Sequence, residues 1–436
     1  MSDYMYMLES HLSPDQNRAV EEVQAAAGGA NVNLFLTGGA MRDMLAGFPI
    51  RDLDFVVEGQ ALKVAKAICD RTGAKTTHAD ESRKTAELVF PSGVTAQIAM
   101  SRQEKYGRTG SKPIISSATI QDDLRGRDFT CNSIALSLNR ASRGLLLDPM
   151  NGLADIERRE LRAVTTYGFY DDPSRLLRLV RLGVRMGYTV EDRTKLQIAN
   201  AREAEVEKRI PARALSEELR RVSMEDRSAE IMKGLEDAGL LALFSPALVA
   251  KMNHAGLSRF EKALGLLPDD ARWRAARFGT FLYALTEKLS PKDKATLIKT
   301  TEMPKGDVAE WQKLDVKAKK LETALKAARI RKASQVYHIV SVAAPEEILF
   351  TLYHSTAKPV QERLRNHFDK YVQQIAEITQ EEWDSIPVKP GTPKYAKARD
   401  AFITQRLDRR VKKVVEEPPP TAPPAPEPVM GRRGIR

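Results

Sequence analysis

Hydrophobic and polar positions alternate in two distinct ways along this chain. Leu34-Phe35-Leu36 is a short apolar run that ends at Gly38-Gly39, and Arg51 to Val57 alternates with a period of two; both read as strands. Between them, Ala40 to Ala46 has a helical pattern closed by Gly47. Upstream, Ser13-Pro14-Asp15-Gln16 predicts a helix start with Ser13 as cap, Pro14 at the first position and Gln16 completing a capping box, running to about Ala27. Gln60 to Asp70 repeats apolar residues at helical spacing, with Cys69 on the core face. Lys75–His78, Thr85–Phe90 and Val94–Met100 read as short strands. Beyond Tyr170 nearly every segment is helical, which predicts an α+β head followed by an all-helical remainder.

The chemistry concentrates where the first strand breaks. Side chains on a strand repeat every two residues, so Asp52 and Asp54 are expected on one face, about 7 Å apart along the backbone. Two carboxylates so placed repel each other unless a cation lies between them, and Mg²⁺ is the hard ion that takes carboxylates together with phosphate oxygens. Gly38 and Gly39 carry no Cβ, so their backbone can approach a triphosphate closely at the mouth of a helix.

Charge narrows the partners. Lys and Arg number 69 against 58 Asp and Glu, for a net charge of +11 and a pI near 9.4. That excess favours a polyanion without separating nucleic acid from an acidic membrane surface. The two cysteines, Cys69 and Cys131, lie far apart and form no zinc spacing, so a disulfide framework is not expected and a reducing cytoplasm is. MSDYMYMLESHL lacks the build of a signal peptide, and no stretch is long enough for a membrane span.

With these residues in view, GG-x-x-RD-x-x-x-G-x-x-x-x-D-x-D (Gly38 to Asp54) resembles motif A of the tRNA nucleotidyltransferase and bacterial poly(A) polymerase family, the class II branch of the polymerase-β-like nucleotidyltransferases. Four more blocks are similar to that family's motifs. Gly126-Arg127-Asp128-Phe129-Thr130-Cys131-Asn132 resembles motif B, with Cys131 as packing. Asp148-Pro149-Met150-Asn151-Gly152 through Asp155 resembles motif C, read from its residues as a turn with Asp155 a structural link between head and neck. Asp171-Asp172-Pro173-Ser174-Arg175 through Arg178 resembles motif D, with Asp172 as helix cap and Pro173 first in the helix. Ile210-Pro211 through Leu219 resembles motif E, with Glu217 and Glu218 structural. The likeness covers about residues 31 to 250.

The resemblance implies a polymerase-β-like head at 1–165 and a nucleotide-selecting, RNA-binding helical neck at 166–250. A helical body at 251–387 would bind tRNA, followed by a basic helix and a disordered Pro-rich tail at 388–436. It implies transfer of CMP or AMP from CTP or ATP to a tRNA 3′ end, with Asp52 and Asp54 as catalytic metal ligands for Mg²⁺. Gly38, Gly39, Arg42, Arg127, Asn132 and Arg178 would hold the nucleotide, while Asp172 and Arg175 read the base. No stable protein partner is evident. In the body, Arg272-Trp273-Arg274 and Arg277 read as a core tryptophan beside solvated arginines. Thr392-Pro393 starts a helix whose Lys394, Lys397, Arg399, Arg406, Arg409, Arg410, Lys412 and Lys413 could meet an RNA backbone. No His-Asp dipeptide occurs, so the phosphohydrolase domain appended in some members is expected to be absent.

Three positions depart from the family pattern. Gln97 stands where a third acid is expected, which would leave Glu87 or no residue in that role. Gly126 replaces the first arginine of motif B, and Asp171 the leading glutamate of motif D. Poly(A) synthesis, CC-only or A-only addition, and an RNA-binding protein with a decayed site remain the alternatives.

Overall fold

The structure, a computed structural model, describes residues 3–409. Two helices, α1 (Asp3–His11) and α2 (Pro14–Gly29), precede the first strand. Ser13 caps α2 with the expected capping box: its hydroxyl takes the Gln16 N–H and the Gln16 side chain takes the Ser13 N–H. The strands follow as β1 (Asn33–Thr37), β2 (Leu53–Glu58), β3 (Lys75–Asp80), β4 (Thr85–Val89), β5 (Thr95–Met100), β6 (Arg102–Lys105), β7 (Ile114–Ser117), β8 (Ala135–Ser137) and β9 (Leu146–Leu147). Seven of them make one mixed sheet in the order β3-β4-β5-β2-β1-β8-β9, in which only β2 and β5 pair in parallel. The β6–β7 hairpin stands apart from it.

The sheet is buried unequally on its two faces. Leu34 and Leu36 on β1, Leu53, Phe55 and Val57 on β2, and Ile98 on β5 point into the main core with α3 (Gly38–Leu45) and α4 (Ala61–Thr72). Phe35, Val56 and Ala99 point the other way, into a small cluster with Ile120 and Leu124 of α5 (Ile120–Arg125). By the period of two, Asp54 and Gln97 share the face of Val56 and Ala99, the side that α5 covers only in part. The acids therefore sit on the thinly covered face. Cys69 is half-buried against the main core, while Cys131 is fully buried there.

Helices α6 (Gly152–Arg158), α7 (Gly168–Asp171), α8 (Arg175–Met186), α9 (Asp192–Glu203), α10 (Ala212–Ser223) and α11 (Ser228–Asp237) come next, with the short parallel pair Glu160–Leu161 and Thr189–Val190. From Pro246 to Asp408 every element is helical, as the sequence pattern predicts. One local expectation there needs correction. Trp273 is a core residue, but Arg277 is not solvated: it is 4% exposed and pairs with Asp226, Asp269 and the Met224 carbonyl. The helix Pro393–Asp408 starts on its Thr392 cap as expected; Arg410, Lys412, Lys413 and the Pro-rich tail lie outside the described residues.

Candidate active site

The turn from β1 into α3 builds the first half of the site. Gly38 has a φ of +61°, where a side chain is strained, and a Cβ there would lie 3.4 Å from Asp54 Oδ2 and 3.5 Å from an Arg127 Nη1. At Gly39 a Cβ would press to 3.0 Å from Asp54 Oδ2. The Gly39 N–H donates to that same oxygen at 3.0 Å. The glycine pair and the second acid of Asp-x-Asp thus meet directly.

Asp52 differs from expectation in one respect. The ladder begins at Leu53, so Asp52 lies one residue outside β2 and is exposed. Its carboxylate is held by the neighbouring strand instead, with Thr95 Oγ1 donating at 2.5 Å. The two acids still feel each other. Burial first and the Asp52 charge second push the Asp54 carboxyl up to about 6, against the opposing pull of Arg127, Arg42 and the Gly39 N–H. A carboxylate pair whose ionisation is costly is what a divalent cation relieves, and two hard oxygen donors suit one. Among the described residues, no group of three or more His, Cys, Asp and Glu is placed to hold a metal ion. Gln97 is the register partner of Asp54, and Glu87 the partner of Gln97. Glu87 is therefore exposed two strands away, about 10 Å by the spacing of neighbouring strands.

The arginines divide into two groups. Arg127 lies beside Gly38, its side chain 28% exposed and tethered to Asp123 at 2.7 Å. Arg178 is also open, at 24%, and bonds Asp128 at 2.6 Å while Asp172 stands 3.8 Å away. Arg42 is buried behind the cradle: Nε and Nη2 go to Asp43 Oδ1, and Nη1 goes to Asn132 Oδ1 at 2.8 Å. The Asn132 amide is itself buried and passes a hydrogen bond to Asp128 Oδ1 at 2.9 Å. Arg42 and Asn132 thus support the surface from beneath. Burial alone would raise the Asp128 carboxyl, but Arg178 and Arg175 outweigh it and hold it below the ordinary range.

Asp172 does not cap the helix in the way its sequence suggests. The regular helix α8 begins at Arg175 with Ser174 at the cap position, because Asp172 Oδ1 takes both the Ser174 N–H at 3.1 Å and its hydroxyl at 2.5 Å. Oδ2 is left facing Arg175 Nε at 4.0 Å. Arg175 is 8% exposed and gives its two Nη groups to the carbonyls of Arg127 and Gly126, each at 3.2 Å, leaving Nε without a partner. Asp155 is structural as expected, but it closes the head on itself, accepting from Thr130 Oγ1 and Arg162 rather than reaching into the neck. Burial pushes the Cys131 thiol up to about 12, consistent with packing. Glu218 is a buried partner of Arg181, and Glu217 an exposed partner of Arg213.

Several supporting acids escaped the sequence reading. Asp43, Asp123 and Asp128 lie within or beside quoted motifs, so their nearness to arginines was a usable signal. Glu225 and Asp226, which hold Arg51, lie more than 170 positions from it, and nothing local marks them.

Known proteins similar to this chain fall in one group. Residues 34–162 match the poly A polymerase head domain family. An A-adding tRNA nucleotidyltransferase of Halalkalibacterium halodurans is 38% identical over 194 residues, covering 44% of this chain and 45% of that protein. The A-adding tRNA nucleotidyltransferase of Geobacter sulfurreducens is 25% identical over 419 residues, 93% of this chain and 47% of that protein. The chain spans less than half the length of these curated relatives. A CCA-adding enzyme in an apo form shares the fold at a TM-score of 0.54, 22% identity and coverage of 95% and 96%. Residues 34–162 thus match a poly A polymerase head domain, and the chain is similar to tRNA nucleotidyltransferases over that region and beyond it.

Proposed function

We propose that the chain transfers AMP or CMP from ATP or CTP, without a nucleic-acid template, to the 3′ end of tRNA. The observation that carries this reading is the Asp52–Asp54 pair set against the Gly39 N–H. Nucleotidyltransferases of this kind use divalent metal ions, and Asp52 and Asp54 are the residues to hold them; Mg²⁺ is the ion we propose. Held by Asp52 and Asp54, such ions would lower the pKa of the RNA 3′-hydroxyl and neutralise charge on the leaving pyrophosphate. Gly38 and Gly39 let the triphosphate lie close to the backbone. Arg127 and Arg178 offer guanidinium edges to its oxygens. Arg42 and Asn132 hold α3 and the Asp128 turn in place beneath it. Asp172 Oδ2 accepts from an exocyclic amine, and Arg175 donates to the base from the neck once it gives up the Arg127 and Gly126 carbonyls that hold its Nη groups. The helices after residue 250, ending in the basic helix Pro393–Asp408, would follow the RNA backbone. No described helix is long and apolar enough to cross a membrane.

The test is incorporation. Purified protein, Mg²⁺, labelled ATP or CTP and a tRNA lacking its 3′ end are expected to give addition of CCA or part of it. The A-adding relatives favour A-only addition as the second reading, in which only a tRNA already ending in CC is extended. No addition to any end would refute both. Replacing Asp172→Ala is expected to blur A and C against G and U by about 1–3 kcal/mol, roughly ten- to a hundredfold in relative kcat/KM; unchanged selectivity would remove its base-reading role. The ionised Asp54 is needed for metal and its metal-free carboxyl sits at about 6, so the Mg²⁺ concentration giving half-maximal activity should rise as the pH drops below about 6. An unchanged Mg²⁺ requirement between pH 7 and 5 would show that Asp54 does not compete with protons for the ion.

A further inference from the structure

Glu225 lies just beyond the neck helix α10, is 4% exposed, and gathers three arginines from two parts of the chain, Arg51 before β2 and Arg181 and Arg185 one turn apart on α8. Its Oε2 takes Arg51 Nη1 at 2.9 Å and stands 3.5 Å from Arg185 Nε; its Oε1 takes Arg181 Nη1 at 3.3 Å. Two of these arginines lead to opposite limbs of the candidate site. Arg51 immediately precedes Asp52, which lies outside the β2 ladder and so has no strand pairing to fix it. Besides Thr95 on the Asp52 carboxylate and Gln16 Nε2 on the Ile50 carbonyl at 2.9 Å, the Arg51 contact anchors that turn, reinforced by Asp226 at 3.2 Å from Arg51 Nη2. Arg185 sends Nη2 to Asp43 Oδ2 at 2.6 Å; Asp43 in turn holds Arg42 against Gly39.

We propose that Glu225 is a positioning residue that ties the Asp52 turn and the glycine-cradle helix to one point on the neck, setting the spacing of the two acids. The inference rests on the proposed metal role of Asp52 and Asp54. Glu225 touches neither acid, so its effect passes through Arg51 on one side and through Arg185 and Asp43 on the other. A carboxylate is required there because three guanidinium groups converge on it. A neutral amide of the same shape keeps two acceptor contacts at most and leaves the cations to repel one another.

The test reads Mn²⁺ binding by electron paramagnetic resonance, independently of turnover, on the full chain. Glu225→Gln is expected to weaken Mn²⁺ about tenfold or more, in the range found when residues that orient metal ligands are removed. The same variant should lower kcat while leaving KM for RNA near its original value, with partial recovery in Glu225→Asp. Glu218→Gln is the control. It removes an equally buried acid that bonds Arg181 alone, and should lower the melting temperature without changing Mn²⁺ affinity. Arg51→Gln cuts the link to Asp52 at a partly exposed position and should reproduce the loss even where Glu225→Gln folds poorly. Wild-type Mn²⁺ affinity in folded Glu225→Gln or Arg51→Gln would overturn the proposal, as would equal weakening in Glu218→Gln. A wild type that binds Mn²⁺ yet adds no nucleotide would refute the transferase reading and leave the positioning role to be decided by the Mn²⁺ comparison. A wild type that binds no Mn²⁺ overturns both.

Discussion

Replacing Asp54→Asn, alone or with Asp52→Asn, is expected to abolish nucleotide incorporation and to make the metal-free protein more stable at pH 8. The first effect should be about a thousandfold or more, since metal ions supply several kcal/mol of transition-state stabilisation and about 1.4 kcal/mol is a factor of ten. The second follows from the carboxyl's environment. Its folded pKa, about 6, lies above the ordinary carboxylate value, because burial and the Asp52 charge disfavour the ion. A group raised in this way favours folding most when protonated, below about pH 4, and that advantage is lost as the pH rises through 6. By pH 8 the buried ion costs up to about 3 kcal/mol, from a shift of roughly two units. An asparagine retains an oxygen for the Gly39 N–H and carries no charge. Urea denaturation in chelator at pH 5 and pH 8 should therefore show wild type losing stability between the two and Asp54→Asn losing less. Adding Mg²⁺ should restore the wild type alone. A variant that is inactive and less stable at pH 8 would instead mark Asp54 as a structural residue.

The same balance explains what was legible in the sequence. Gly38-Gly39 and Asp-x-Asp were readable because phosphate approach and cation binding impose residue types at short spacing, and the alternation around Asp54 placed it on a face. The capping box at Ser13 and the core tryptophan at 273 followed from equally local rules. Asp52 was harder: periodicity implied a strand from Arg51, but the ladder starts at Leu53 and the side chain depends on Thr95, on a strand more than forty residues later. At Asp172, cap preference competed with a closer hydroxyl and N–H at Ser174, and the local hydrogen bonds prevailed. Arg277 read as solvated because its acids, Asp226 and Asp269, come from separate turns. In general, motifs reveal the groups that meet a ligand. The acids that hold those groups still are fixed by tertiary contact and leave little local trace.

Asp128→Ala shows how large that hidden part is, with an expected loss of about 3–5 kcal/mol, the range for removing one partner of a buried ion pair. Asp128 is 9% exposed and receives Arg178 Nη1 at 2.6 Å, Asn132 Nδ2 at 2.9 Å and the Phe129 N–H at 2.7 Å. Without it, Arg178 has Asp172 at 3.8 Å as its nearest remaining acid, and two further donors lose their acceptor. Because Arg178 and Arg175 hold this carboxyl below its ordinary range, its contribution is present above about pH 4 and is lost as the pH falls further. The variant should therefore lose most stability at neutral pH, and its acid-unfolding limb should be shallower than that of the wild type. Chemical denaturation from pH 7 down to 3 measures both. At a temperature where the variant remains folded, Arg178 is expected to swing toward Asp172 and compete for the acceptor oxygen assigned to the base, so discrimination among nucleotides should weaken along with the fold. A loss under about 1 kcal/mol with selectivity intact would mean that Arg178 finds enough compensation in water, and that the chain of contacts from Arg42 through Asn132 to the neck is not what holds the two halves of the site together.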